Sequence, residues 1–302
     1  MKRIRRSLLY VPGNQPALVL AGGIFGADAV VFDLEDSVTV REKDAARILV
    51  RQALAVRSLI TSGAPEIMVR INGLDTPFGL PDLEMIVPAR PDSIRLPKAE
   101  TRQQILDICA LLAALEQKAG LPNGHIELVP ILESVRGVAN AREIANAHPR
   151  VTGLTLGAED FTRDLGAART REGTELAVAR GHLVLAAKEA GIAALDTVFG
   201  AVNDLDGLAA ECKLVRGLGF DGKSVIHPSQ IPVVHEVFTP SAHEINHALR
   251  VRHAMREAER AGTGVVALDG RMIDAPVAKR AENVLAFAAA LGLVPDEQEV
   301  RQ

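Results

Sequence analysis

The chain has 302 residues, a formal net charge of −4 at pH 7, and 48% hydrophobic and 24% charged residues, which is an ordinary globular composition. Charges of both signs are spread along the chain and its basic cluster, Lys2–Arg6, is short, so nucleic acid is not expected as the main partner. The apolar stretch after Arg6 is broken at Pro12 and no run of 18 apolar residues follows, so we expect no secretory leader, no membrane span and a cytoplasmic location.

Short apolar runs rich in β-branched residues alternate with longer amphipathic stretches from the start of the chain. This alternation is typical of a parallel sheet whose two faces are covered by helices. Eight such runs predict eight strands: Ser7–Val11, Ala29–Asp33, Ile67–Ile71, Ser93–Pro97, Glu127–Leu132, Gly153–Gly157, Ala194–Val198 and Lys223–His227. We therefore predict an α/β fold, the (β/α)₈ TIM barrel, rather than an open dinucleotide-binding sheet, because no glycine-rich turn follows the first strand.

The pattern changes after the eighth predicted strand. A long helix over Pro240–Ala261, a short strand over Val265–Leu268 and a last amphipathic helix over Ala275–Leu293 are predicted there. We divide the chain into a barrel catalytic domain, residues 1–236, and a C-terminal helical extension, residues 237–302, which we expect at a subunit interface.

Charged or amide side chains stand at or just beyond the C-terminal ends of the predicted strands. These ends meet on one face of a barrel, so the side chains should surround one pocket. Carboxylates so concentrated repel one another unless cations neutralise them, and oxygen ligands without zinc-type His/Cys spacing favour Mg²⁺ in an open site. The set comprises Asn14, Asp33, Glu35, Asp36, Arg70, Asn72, Lys98, Glu133, Glu159, Asp160, Asp196, Lys223 and His227.

Several members of this set also have structural explanations. Asn72, Asp196, Lys223 and His227 are residue types that more often stabilise a barrel end than take part in chemistry. Lys98 could contact a substrate or pair with the pocket carboxylates, and the sequence leaves both alternatives open.

Eight short motifs stand in one order along the chain, from Arg6 to the start of the last helix. The motifs are RSLLYVPG at 6–13, DLEDSV at 33–38, VRIN at 69–72, RLPK at 95–98, ILES at 131–134, LGAED at 156–160, GFDGKS at 219–224 and GRMID at 270–274. Together they resemble the citrate lyase β-subunit family, which includes citryl-, malyl- and citramalyl-CoA lyases.

The resemblance implies a metal site. Glu133 and Asp160 would bind Mg²⁺ directly, and Glu35 and Asp36 would lie in the outer shell of the ion. The carboxylate pocket deduced from the strand ends contains all four residues, whereas their division into ligands and outer shell comes from the resemblance.

The resemblance also implies roles in substrate binding and catalysis. Arg70 would hold the carboxylate of a 2-oxo acid, with Lys98 and Glu133 as further substrate-binding residues. Asp274 would reach the pocket of a neighbouring subunit as the catalytic acid or base, and the strand-end pattern alone does not find it.

The implied activity is a Mg²⁺-dependent carbon–carbon lyase that cleaves a citryl-CoA or citryl carrier-protein thioester to oxaloacetate and an acetyl thioester. CoA or an acyl-carrier phosphopantetheine would carry the substrate. The implied assembly is a trimer or hexamer of this chain with shared active sites, with citrate lyase carrier-protein and transferase subunits as further partners.

Three alternatives remain. The first is a stand-alone malyl- or citramalyl-CoA lyase, and the second is a malate synthase or acyl-CoA thioesterase that uses the same pocket. The third, a non-enzymatic scaffold subunit, predicts the loss of a metal ligand or of Asp274, and the sequence retains Glu133, Asp160 and Asp274.

Overall fold

The computed structural model describes residues 3–63 and 65–294, and it confirms the predicted eight-stranded parallel barrel. Each strand pairs in parallel with the next, and the eighth pairs with the first through Ser7 and Lys223, which closes the barrel. The strands are β1 Ser7–Pro12, β2 Ala29–Asp33, β3 Glu66–Arg70, β4 Ser93–Leu96, β5 Glu127–Leu132, β6 Gly153–Leu156, β7 Ala193–Asp196 and β8 Gly222–Val225.

Helices connect successive strands, as the amphipathic stretches predict. In the part of the chain that ends at Phe238 they are α1 Pro16–Ala21, α2 Lys43–Ala55, α3 Arg57–Ile60, α4 Gly79–Ile86, α5 Arg102–Lys118, α6 Val135–Ala139, α7 Ala141–Ala145, α8 Ala158–Leu165, α9 Ala177–Glu189, α10 Leu205–Leu218 and α11 Gln230–Phe238. Sequence capping signals fix some of their starts: Thr101 and Gln104 form a reciprocal capping box at the start of α5.

The strands bury both of their faces, which explains why they are apolar almost without interruption. In β2, Val30 and Phe32 pack towards the surrounding helices, whereas Ala29 and Val31 belong to the cluster that fills the barrel interior. Alternation of this kind separates the side chains that fill the barrel interior from those that pack against the helices.

The N-terminal face of the barrel is closed by a buried ion-pair network. The Arg5 guanidinium donates to Glu66 at 2.7 Å and to Glu127 at 2.6 Å, and all three residues lie at the starts of their strands or just before them. This network connects the alternate strands β1, β3 and β5 across the barrel, and it leaves the opposite, C-terminal face for the site.

The chain divides into two compact units between Phe238 and Thr239. The second unit contains α12 Ala242–Arg260, a two-stranded sheet and α13 Ala275–Ala290, with Leu285 and Val251 in its own apolar core. The sheet pairs β9 Val266–Leu268 with the antiparallel strand β10 Arg271–Ile273, which the sequence analysis did not predict. None of the helices described is long and apolar enough to span a membrane.

Candidate active site at the C-terminal face of the barrel

A cavity of about 420 Å³ opens among the C-terminal ends of the barrel strands. Six residues of the predicted strand-end set line it: Asp33, Asp36, Arg70, Glu133, Glu159 and Asp160. The convergence expected from the strand ends is therefore present in the structure.

Arg70, at the end of β3, is surrounded by carboxylates. Its Nε and one terminal nitrogen donate to the two oxygens of Asp33, both at 2.7 Å, and the other nitrogen lies 2.8 Å from Glu35 and 3.3 Å from Asp36. Burial opposes the charge of Arg70, but Asp33 outweighs burial and raises the Arg70 pKa well above its ordinary value. Asp33 is thus the main counter-ion of Arg70, and the contact of Arg70 with an oxo-acid carboxylate stays a prediction.

Asp33 is itself held in place by short-range donors. The Ser37 hydroxyl and the Glu35 backbone amide donate to it. Burial alone would raise its pKa, but the Arg70 charge and these donors hold the pKa below the ordinary value. The Asp33–Arg70 pair is consequently a fixed ionic unit at one side of the cavity.

Glu133 follows β5 and is only 5% exposed. Burial, and then the neighbouring charges of Glu35 and Asp160, raise the pKa of Glu133 to about 8, although Arg70 and a backbone hydrogen bond from Lys98 act in the opposite sense. The side chains of the protein therefore supply too little positive charge to keep Glu133 ionised at neutral pH.

Lys98 contacts Glu133 through its backbone and Glu35 through its side chain. Its amide donates to Glu133 Oε1 at 2.7 Å, and its Nζ donates to Glu35 Oε1 at 3.1 Å. The residue has φ of 51°, a left-handed conformation that costs a non-glycine residue about 1–2 kcal/mol. The structure shows the ion-pair alternative for Lys98, and contact with the substrate stays a prediction.

Asp160 lies in the first turn of α8, which begins directly after β6. Arg163, one turn later on the exposed side of the helix, donates to Asp160 at 2.7 Å. Gly157 before the helix has no room for a side chain, because a Cβ there would stand 2.6 Å from Glu133 Oε2. This close approach brings the start of α8, and with it Asp160, next to Glu133.

The donor set fits a hard divalent ion with an open coordination sphere. No group of three or more His, Cys, Asp or Glu side chains among residues 3–63 and 65–294 is arranged to hold a metal by itself. Glu133 and Asp160 would therefore supply two carboxylates, and water and substrate oxygens the remaining ligands, which is the usual way in which proteins bind Mg²⁺. A cation there would also relieve the repulsion that raises the Glu133 pKa.

Two strand-end residues from the predicted set belong to a buried cluster. Lys223 Nζ lies 2.7 Å from Asp196 and 2.5 Å from Glu211, and Arg180 pairs with the same two carboxylates. Lys223 also donates to the carbonyl of Thr197, a residue that lines the cavity and that the sequence analysis missed.

Asp274 lies in the second unit, where it caps the last helix. Its carboxylate accepts a hydrogen bond from the Val277 amide at 3.1 Å, and Pro276 follows within the first turn of α13. Helix capping accounts for an aspartate at this position, and its catalytic role stays a prediction.

Comparison with known proteins shows which family the chain resembles. The model of the HpcH/HpaI aldolase/citrate lyase family matches residues 6–228. The citrate lyase subunit beta of Leuconostoc mesenteroides subsp. cremoris is 47% identical over 296 residues, which cover 98% of this chain and 97% of that protein. A (3S)-malyl-CoA thioesterase of Cereibacter sphaeroides strain ATCC 17029 is 38% identical, with 95% of each chain covered.

A solved structure extends the similarity to the fold. The CitE protein of Mycobacterium tuberculosis, in complex with magnesium, acetoacetate and coenzyme A, superposes with a TM-score of 0.77 at 33% identity. The alignment covers 96% of this chain and 100% of that one.

Proposed function

The chain belongs to the HpcH/HpaI aldolase/citrate lyase family, and we propose that it is a Mg²⁺-dependent carbon–carbon lyase acting on a citryl thioester. The products are oxaloacetate and an acetyl thioester. The observation that carries this proposal is the pairing of two acidic groups, Glu133 and Asp160, in a cavity that also contains Arg70.

Glu133 and Asp160 are the residues that would hold the ion. When bound, Mg²⁺ supplies Lewis-acid polarisation of the hydroxyl and carboxylate oxygens of the substrate. Arg70 binds and orients a substrate carboxylate, which requires that it share the donors it now gives to Asp36 and Glu35. The bidentate contact with Asp33 can stay intact during this exchange, so the guanidinium keeps its orientation.

Cleavage moves two electron pairs, and one proton leaves the substrate oxygen while another is added at carbon. The substrate hydroxyl releases its proton to solvent water, the O–H electron pair forms the carbonyl of oxaloacetate, and the electrons of the broken carbon–carbon bond pass to the acetyl thioester as an enolate. The enolate then takes a proton at carbon, for which we propose Asp274 from a neighbouring subunit. Lys98 and Lys223 form no covalent adduct in this scheme, because Lys98 pairs with Glu35 and Lys223 is enclosed by Asp196 and Glu211.

The substrate carrier and the assembly follow from the same relationship. CoA and an acyl-carrier phosphopantetheine present the same thioester to the cavity, so both are candidate carriers. We propose that residues 1–236 form the catalytic domain and that residues 237–302 lie at the interface of a homo-oligomer. Carrier-protein and transferase subunits are the proposed further partners, because a relative 47% identical is a citrate lyase subunit.

Thioester hydrolysis is a second candidate activity. The similarity to a (3S)-malyl-CoA thioesterase over 95% of the chain favours it. In that case water attacks the thioester carbonyl of a malyl substrate in the same cavity, and free thiol is released without cleavage of the carbon–carbon bond.

The decisive experiment assays the purified chain with Mg²⁺ against citryl-, malyl- and citramalyl-CoA. Formation of oxaloacetate from citryl-CoA is the expected result, and release of thiol alone from malyl-CoA would support the hydrolase instead. Glu133→Gln and Asp160→Asn should abolish turnover, whereas Glu143→Gln, which changes an exposed carboxylate on α7, should not. Turnover of none of the three thioesters would overturn the proposal.

The proposed sharing of the site between subunits has its own test. Arg70→Ala and Asp274→Ala chains should each be inactive alone, and a refolded mixture should recover activity because some sites then contain both native residues. A mixture as inactive as its components would place Asp274 in its own barrel or outside the chemistry.

A further inference from the structure

Arg95, in the middle of β4, is a fully buried guanidinium without a carboxylate partner. Its exposure is 0%, and it makes no ion pair with any residue that the structure describes. One terminal nitrogen donates to the Thr155 hydroxyl at 2.7 Å, the other lies 3.8 Å from the sulfur of Met68, and Nε has no hydrogen-bond partner. The charge is thus solvated by one hydroxyl and by polarisable groups.

Other buried arginines of the barrel are neutralised. Arg150 pairs with Glu116 at 2.5 Å, Arg5 with Glu66 at 2.7 Å, and Arg180 with Asp196 at 3.0 Å. Burying a charge without such a partner is strongly unfavourable for folding. Arg95 therefore lowers the stability of the fold, and a charge kept at that cost points to a functional demand.

The position of Arg95 indicates what the demand is. Thr155 and Tyr10, which both contact Arg95, line the cavity. The Arg95 guanidinium carbon lies 5.4 Å from the centroid of the Tyr10 ring, and that of Arg70 lies 5.2 Å from it. Arg95 consequently lies beneath the cavity floor, one layer of side chains away from its contents.

The two cations next to Tyr10 differ in how they are balanced. Arg70 forms ion pairs with Asp33 and Glu35. Arg95 instead lies near the aromatic ring of Tyr10, which attracts a cation more weakly than a carboxylate does. Burial lowers the pKa of Arg95 and the charge of Arg70 adds to this effect, although Tyr10 opposes it. An arginine stays protonated at neutral pH despite such a shift, so the positive charge is permanent.

We propose that Arg95 is a fixed positive charge beneath the cavity floor that attracts the anionic 2-oxo acid and stabilises the negative charge of the enolate without touching either. It is a positioning residue in the electrostatic sense, because a charge in a water-poor interior acts over a longer distance than one in solvent. The inference rests on the proposed function, since it takes the occupants of the cavity to be Mg²⁺ and carboxylate-bearing molecules.

The test uses the opposite charges of the two ligands. Replacing Arg95 with methionine, which fills similar space without charge, should weaken oxaloacetate binding by about tenfold and tighten the binding of Mg²⁺ alone by a few fold. A merely structural role would weaken both. Mg²⁺ binding is measured by the rise in melting temperature across a Mg²⁺ titration, and oxaloacetate binding by calorimetry at saturating Mg²⁺.

Three further variants make the outcome decisive. Arg95→Gln is a second neutral side chain that can still bond to Thr155, and Arg95→Lys keeps the charge and should restore most of the oxaloacetate affinity. Arg150→Met removes a paired arginine from outside the cavity, so it should lower the melting temperature but leave both affinities unchanged.

Each result has one meaning. Weaker binding of both Mg²⁺ and oxaloacetate in the two neutral variants would overturn the inference about Arg95. Unchanged oxaloacetate affinity in both of these variants would overturn it as well. If the unaltered chain binds neither Mg²⁺ nor oxaloacetate, the proposed function fails instead.

Discussion

Replacing Glu133 with glutamine should inactivate the protein and at the same time stabilise its metal-free form. Glutamine keeps the shape of the side chain, and its carbonyl can still accept the hydrogen bond that Lys98 donates to Glu133 Oε1 at 2.7 Å. Its uncharged amide removes the repulsion that Glu35 and Asp160 exert on the native side chain. The variant therefore removes one charge and little else.

The size of the effect follows from the pKa. The Glu133 pKa is about 8 in the folded protein and 4.5 for an ordinary glutamate. A raised carboxyl pKa means that ionisation opposes folding, so the destabilisation begins as the pH rises above the ordinary value and is complete above about 8. At 1.36 kcal/mol for each pKa unit, ionised Glu133 costs at most about 4–5 kcal/mol. Allowing for relaxation of the neighbouring side chains, we expect about 1–3 kcal/mol, or roughly 2–10 °C in melting temperature.

The assay is thermal unfolding in EDTA at several pH values between 5 and 8.5, followed by the same series with Mg²⁺. In EDTA the variant and the native chain should unfold at similar temperatures near pH 5, and the variant should become the more stable as the pH rises. Mg²⁺ should stabilise the native chain and reverse the order, because its binding requires the ionised carboxylate.

Glu143→Gln serves as the control, because this carboxylate on α7 is exposed and its replacement should leave both series unchanged. The reasoning is refuted if Glu133→Gln is the less stable protein in EDTA at pH 8. It is equally refuted if Mg²⁺ stabilises the variant as much as the native chain.

Three further predictions follow from the packing of the barrel. Thr197→Val should weaken Mg²⁺ binding several-fold in a thermal titration, and Thr197→Ser should not, because the hydroxyl accepts a hydrogen bond from the Ala158 amide at the start of α8. Gly222→Ala should lower the free energy of unfolding by about 2–4 kcal/mol in urea, since its Cβ would overlap the Arg5 carbonyl oxygen. Burial disfavours ionised Asp196, but Lys223 and Arg180 outweigh burial and hold its pKa below the ordinary value. The free energy of unfolding, measured in urea, should therefore fall as the pH drops below about 4, and it should fall less in Asp196→Asn.

The strands of the barrel were predictable because they bury both faces. A short, nearly continuous apolar run such as Ala29–Asp33 is typical of a buried strand, and the predicted bounds of that strand match the structure. The sequence placed the third strand at Ile67–Ile71, one residue later than the observed Glu66–Arg70. The predicted range begins just after the charged Glu66, which the structure buries in the first residue pair of the strand beside its partner Arg5.

The second strand of the small sheet was missed although the chain contains a local signal for it. Asp269 and Gly270 both have positive φ, which is the conformation of a two-residue hairpin turn that Asp-Gly favours. The strands on either side are only three residues long, so no alternation of apolar and polar residues was visible. Short strands of this kind are recognised from their turn and not from their own pattern.

The charged residues that line the cavity were predictable, but their pairing was not. The positions at the strand ends predict that Asp33 and Arg70 lie on one face of the barrel. They do not predict that Asp33 is the main ion-pair partner of Arg70. That choice depends on β2 and β3 being neighbours in register, with Asp33 opposite Arg70. For Arg95, the sequence shows a single charged residue within an apolar strand. Only the fold shows that it is fully buried and that none of the described carboxylates pairs with it.

The charges around the cavity explain why a divalent ion and an acidic substrate belong together there. Among the described residues, Glu159 pairs with Arg169, and the five other carboxylates face three paired cations, so a divalent ion would balance the remaining negative charge. Arg95 then leaves one positive charge in excess beneath the floor. A cavity balanced in this way is unfavourable for an anion until the ion is bound and favourable afterwards, so Mg²⁺ should bind first and oxaloacetate second. The carboxylates are Asp33, Glu35, Asp36, Glu133 and Asp160, and the cations Arg70, Lys98 and Arg163.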